Sequence, residues 1–116
     1  MRSMVAAGVM FAAVALPAQA AYAPPCERGP FRQFDFWLGD WEVRDASGKL
    51  AGYNRITSEQ RGCVIIERWE SVSGVGGMSM NYYEPQSGKW KQNWVSPGAI
   101  LEMSGGMQGS SLVMEG

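Results

Sequence analysis

The pattern of hydrophobic and polar positions changes period at Gly39-Asp40. Ahead of that pair, Phe34, Trp37 and Leu38 recur at i, i+3 and i+4, the spacing of the inner face of one helical turn. Behind it, Trp41 and Val43 alternate with Glu42 and Arg44, the period-two pattern of a half-buried strand. The pattern predicts a short helical plug that runs through a glycine into a first strand. Gly39 suits such a joint, because a sharp helix-to-strand change often needs a backbone angle that only glycine adopts cheaply.

Downstream, apolar and β-branched runs are separated by glycine and proline turns. Residues 49–58 read as a second strand after Ser47-Gly48, and residues 63–69 as a third after Arg61-Gly62. A glycine-rich loop over 73–77 leads to a fourth strand, 77–84, and the turn Pro85-Gln86-Ser87-Gly88 to a fifth, 89–95. After Pro97-Gly98, residues 99–104 and 111–115 are the sixth and seventh strands, placed around the glycines at 105, 106 and 109. Short strands punctuated at this interval predict an all-β antiparallel up-and-down meander. No internal repeat or low-complexity tract divides it, so residues 34–116 form one domain behind an irregular, proline-rich lead-in over 21–33.

Gly39-Asp40-Trp41 looks like the G-x-W motif that opens the first strand of lipocalins and other calycin-type barrels. Together with the run 34–43, Gly62-Cys63 and Trp90-Lys91-Gln92-Asn93-Trp94-Val95, it makes residues 26–116 resemble a group of secreted bacterial lipocalin-like proteins. That resemblance implies a lipocalin-like barrel with Trp41 packed across its closed end, under the plug. Such barrels close with more strands than the seven read here, which leaves unpaired edges. The expectation is an incomplete barrel, from a chain truncated at its C-terminal side or one whose edge a second copy covers.

The first twenty residues read as an export signal. Arg2 supplies the positive start, residues 4–16 the apolar run, and Pro17-Ala18-Gln19-Ala20 the small-x-small cleavage pattern. The run is short for a bilayer span, so no integral span is expected after cleavage, and the expected location is periplasmic or secreted. Cleavage removes one basic residue and leaves nine basic against eleven acidic side chains. These are scattered without a basic stripe, which argues against nucleic acid and anionic membrane surfaces as partners. Cys26 and Cys63, in an oxidising compartment, are expected to form a disulfide worth roughly 3–4 kcal/mol.

The turn at 85–88 fixes the faces of its hairpin. It pairs Glu84 with Lys89, Tyr83 with Trp90, Asn81 with Gln92 and Ser79 with Trp94. Lysines belong outside, so Ser79, Asn81, Tyr83, Trp90, Gln92 and Trp94 are expected to face the interior, with Glu67 and Trp69 added from the third strand. Rings for apolar contact and amides for orientation suit a ligand pocket. The candidate ligand-binding set is therefore Trp69, Asn81, Tyr83, Trp90, Gln92 and Trp94, and the ligand class a small apolar or amphipathic molecule. The alternative for the same residues is a core whose polar atoms satisfy one another. Met78, Met80 and Tyr82 fall on the outer face with Lys89 and Lys91, which asks either for a cover on that face or for a bulge in the register.

Little else points to chemistry. The chain has no histidine, which removes the commonest general base and the commonest zinc or haem ligand. Asp35 and Asp40 read as a cap and a turn residue, and residues 74–77 lack the lysine of a phosphate cradle. Met78 and Met80 are soft enough for Cu(I), but their i, i+2 spacing also arises in any strand with an apolar face. The reading is a binding protein with no catalytic, metal or cofactor site. Its rivals are an interaction module that pairs, as a homodimer for example, through open sheet edges, and a truncated chain without independent function.

Overall fold

The computed structural model describes residues 25–116 and, ahead of them, Ala13 alone. Apart from that residue, the export signal read over 1–20 and the first part of the lead-in, 21–24, lie outside the described residues. Seven strands follow in chain order: β1 (Gly39–Arg44), β2 (Leu50–Glu59), β3 (Val64–Ser71), β4 (Gly76–Glu84), β5 (Lys89–Ser96), β6 (Ala99–Gln108) and β7 (Ser111–Glu115). Each pairs antiparallel with its neighbours in sequence, and the sheet curls into a half-barrel with β1 and β7 as its two edges.

The plug is built differently from the expected helical turn. It consists of three 3-10 turns, Pro25–Glu27, Gly29–Arg32 and Asp35–Trp37. Their hydrogen bonds close over three residues, Gln33 N–H to Pro30 O, Trp37 N–H to Phe34 O and Leu38 N–H to Asp35 O, each at 3.1 Å. Prolines and short runs explain the choice, since nucleating an α-helix fixes several residues for a single bond. The inner face is nevertheless the expected one. Phe34 is buried, and Trp37 and Leu38 pack beside it on Ile56, Ile65 and Trp90. Gly39 sits at φ 133°, in the region that only glycine enters freely.

Several strand boundaries differ from expectation by one or two residues, and that of β6 by four. β3 begins at Val64, because residues 60–62 form a further 3-10 turn ahead of Cys63. β4 begins one residue early, at Gly76. β6 runs on to Gln108, so Gly105 and Gly106 are strand residues and do not belong to a turn. Gly105 is required there: a Cβ on it would overlap the carbonyl of Val113 in β7. Asp40 is likewise a strand residue, paired with Arg55 at 3.0 Å, while Asp35 caps nothing and pairs with Arg32 at 2.5 Å.

Two local devices fix the chain around the sheet. In the β1–β2 turn, Asp45 Oδ1 accepts from Ser47 N–H (2.9 Å), Ser47 Oγ (2.6 Å) and Lys49 N–H (3.0 Å). The Ser47 side chain and the Lys49 backbone hold its carboxyl below the ordinary 3.8. The second device is the Cys26–Cys63 disulfide, with Cα atoms 4.8 Å apart, which ties the lead-in to the start of β3.

Trp41 does not seal the closed end. Phe34 does, edge to face against the fully buried Trp90, while Trp41 stands farther along β1 with 44% of its surface exposed. Its indole N–H donates to Trp37 O at 2.6 Å, so the ring is anchored by its edge to the plug and left outside the core. Among the described residues, no helix is long and apolar enough to cross a membrane.

Candidate functional site on the concave face

The strand register places one set of side chains across the inside of the half-barrel. At the closed end Tyr83 stands opposite Trp90, and next come Ile65, Asn81, Gln92 and Met103. Then follow Ile56, Glu67, Ser79, Trp94 and Leu101, and finally Trp41, Asn54, Trp69 and Gly77. Burial falls along the same direction. Trp90, Ile65 and Asn81 are fully enclosed, whereas Leu101 is 51% exposed and Trp41 44%. The plug covers one end of the concave face, and the other end is open.

The β4–β5 pairing is the one expected from the turn at 85–88: Ser79 with Trp94, Asn81 with Gln92, Tyr83 with Trp90 and Glu84 with Lys89. The six candidate residues share the concave face but divide into two groups. Trp90 and Asn81 lie inside the packed end, at 1% and 0% exposure, and Trp90 donates its indole N–H to Gln33 at 3.3 Å. Tyr83 is half-buried against Phe31 and Trp90, with ring centroids 5.2 and 6.1 Å away. Trp69, Trp94 and Gln92 are half-buried farther out.

Below the rings runs a row of polar groups with a single direction. Gln92 Nε2 donates to Asn81 Oδ1 (2.7 Å), and Asn81 Nδ2 donates to Ser79 Oγ (2.8 Å) and to the Ile65 carbonyl (3.2 Å). Ser79 Oγ then donates to Glu67 Oε2 (2.5 Å), and from the other side Asn54 Nδ2 donates to Glu67 Oε1 (2.8 Å). Apart from the Asn81 bond to the Ile65 carbonyl, the donors of the row are oriented toward Glu67, whose side chain is nearly buried. Glu67 is also the only charged residue that the register places on the concave face of β2–β6. Hydrogen bonds to a carboxylate are about twice as strong as neutral ones, so Glu67 anchors the row.

Two rings are seated on glycines. A Cβ on Gly77 would fall inside the Trp94 ring, and a Cβ on Gly52 would lie 2.7 Å from the Trp69 ring. Both tryptophans therefore lie against bare backbone and lean toward the open end. Between the last turn of the plug and the concave side of β1–β2, Phe36, Trp37, Trp41, Val43 and Asn54 line a hollow of about 230 Å³ in which Asn54 is the only polar lining residue among the described residues. Asn54 Oδ1 is buried without a hydrogen-bond partner among the described residues. A wider, open depression of about 620 Å³ is bordered by Asp40, Glu42, Tyr53, Arg55, Arg68 and Glu70, whose side chains stand on the convex side, with Trp41, Asn54 and Trp69 also in its lining.

The β3–β5 residues on the concave face are those expected there from the sequence; Asn54 is not among them, and the expected place of Trp41 is across the closed end. Asn54 stands opposite Trp69 across β2–β3. Residues 60–63, with Gln60 and Arg61 both at positive φ, made a connection that no simple turn rule could register. Met78 and Met80 are on the convex face in an unbroken β4–β5 register, each 47% exposed, so neither a bulge nor a cover within the described chain accounts for them. Compared with known proteins, the chain matches no family model, no curated protein and no solved structure.

Proposed function

We propose that this chain is an exported, lipocalin-like binding protein that takes up a small apolar or amphipathic molecule at the open end of its concave face. One observation carries this reading: Trp41 and Leu101 are about half exposed on the same concave face as the enclosed Trp90. An apolar concave surface beside a few fixed polar groups is the usual composition of a small-molecule site. The N-terminal signal pattern and the Cys26–Cys63 disulfide support a periplasmic or secreted location. Trp69 and Trp94 on their glycine seats would supply the flat apolar contact. Asn81 and Trp90 would hold the floor of the site and stay out of contact with the ligand.

The test is titration of the protein with N-phenyl-1-naphthylamine, a neutral apolar fluorophore, read by tryptophan quenching and probe emission. Saturable uptake at one site is expected, and Trp41→Ala should weaken it. Emission that rises without saturation would remove the proposal.

A second reading has its own observation. Met78, Val95 and Ile100 align across β4–β6 on the convex face and are 47%, 52% and 75% exposed. Such a strip suits an interaction module that pairs with another chain. Solution mass distinguishes the two: a monomer that binds the probe supports the concave site, and a stable dimer that does not bind it supports the module.

A further inference from the structure

Granting the concave-face binding proposed above, we infer that the ligand is a protonated amine with a compact apolar body, selected by Glu67 through Asn54. The first ground is charge. Glu67 is 9% exposed, and none of the ion pairs among the described residues includes it. Arg55, Arg68 and Lys91 fall on the convex side of the ladder, so the inside of the half-barrel carries one negative charge and no positive strand residue to balance it. A buried charge of one sign in a low-dielectric wall raises the local concentration of the opposite sign.

The second ground is hydrogen-bond polarity. Asn54 commits one Nδ2 hydrogen to Glu67, at 2.8 Å, which fixes the amide with its acceptor, Oδ1, at the other end. That acceptor, Oδ1, is buried and unpaired, on the one polar residue lining the 230 Å³ hollow. A buried acceptor left unmade is costly, and a ligand donor that reaches it recovers that loss. An ammonium group supplies the donor, and its charge is favoured by the carboxylate one hydrogen bond behind.

The third ground is the wall. Phe36, Trp37 and Trp41 offer aromatic surface, which attracts a cation as well as an apolar body. The hollow is smaller than the roughly 300–1,000 Å³ of drug-sized pockets, which sets the body at about one ring. A carboxylate ligand is disfavoured on the first two grounds, since it would bring an acceptor to an acceptor and a negative charge to a negative charge.

Isothermal calorimetry with three matched probes tests this: phenethylamine, 2-phenylethanol and 3-phenylpropionate, run beside the naphthylamine titration. Phenethylamine is expected to bind at least tenfold more tightly than the alcohol and to displace the naphthylamine probe, with the propionate weakest. Glu67→Gln should reduce the preference for amine over alcohol to about twofold or less. The wild-type ranking stands as a test even if that variant does not fold. Equal binding of all three, or a preference for the propionate, overturns the amine selection and leaves concave-face binding intact. The same holds if only the naphthylamine probe binds. If that probe also fails to saturate, both readings fall.

Discussion

Phe34 and Trp90 meet edge to face over the closed end of the half-barrel, with ring centroids 5.3 Å apart and ring planes at 74°. Phe34 comes from the plug and Trp90 from β5, so this contact joins two segments distant in sequence. Phe34→Ala should cost about 3–5 kcal/mol in a urea melt, the range for emptying a large buried aromatic site. A loss under about 1 kcal/mol would show that the plug is dispensable for folding.

Gln92 is expected to matter for stability more than its half-buried position suggests. Its amide is the donor to Asn81 Oδ1, and Asn81 has 0% exposure. Gln92→Leu leaves that oxygen unpaired in the core and should cost about 1–3 kcal/mol. An unchanged urea midpoint would mean that water or a shifted side chain replaces the bond.

Trp41→Ala should behave in the opposite way. With the ring half outside the core, the stability loss is expected to be about 1 kcal/mol, while naphthylamine affinity falls measurably. Parallel denaturant and binding titrations separate the two effects. A loss as large as that of Phe34→Ala would place the ring in the core.

The turn aspartate gives a pH dependence with a definite sign. Asp45 titrates below its ordinary 3.8 because Ser47 and Lys49 hydrogen-bond its ionised form. Its contribution to the β1–β2 turn is therefore complete above that ordinary value and is lost as pH falls through the lower folded value. Carboxyl carbon shifts of Asp45, followed with the amide shifts of Ser47 and Lys49, should share one midpoint below 3.8. A midpoint at or above it would remove the turn's hydrogen bonds from solution.

Cys26 and Cys63 should be silent to thiol reagents until the protein is reduced. The bond spans 37 positions, and the chain-entropy relation assigns its loss a cost of about 4 kcal/mol. Labelling of two thiols in the unreduced protein would contradict the structure directly.

The hairpin of β4 and β5 was legible in the sequence because a tight turn fixes register, and register fixes faces. From Glu84-Lys89 alone the pairing of Asn81 with Gln92 follows, and so does the inside position of Trp90. Where the backbone departs from simple turns, legibility ended. The left-handed residues Gln60 and Arg61 concealed the β2–β3 register and with it the Asn54–Glu67 bond. Gly105 and Gly106 read as a turn because glycine usually weakens strands, whereas Gly105 sits in β6 to let another backbone approach. The plug's inward residues were legible from spacing, but its 3-10 winding was not, since both helix types bring i and i+3 to one side. The exposure of Trp41 depends on which part of the curled face the plug covers, and no local pattern encodes that.

The two seated tryptophans differ in what their glycines answer to. The Trp94 ring occupies the volume that a Cβ on Gly77 would need, whereas a Cβ on Gly52 would meet the Glu70 carbonyl before the Trp69 ring. Neither Gly77 nor Trp94 can change alone without a clash or a void, so that pair constitutes one heritable unit. Drift at position 77 should be answered at position 94, seventeen residues on, while position 52 stays glycine whatever stands at 69. Gly77→Ala combined with Trp94→Leu should accordingly be tolerated better than Gly77→Ala alone.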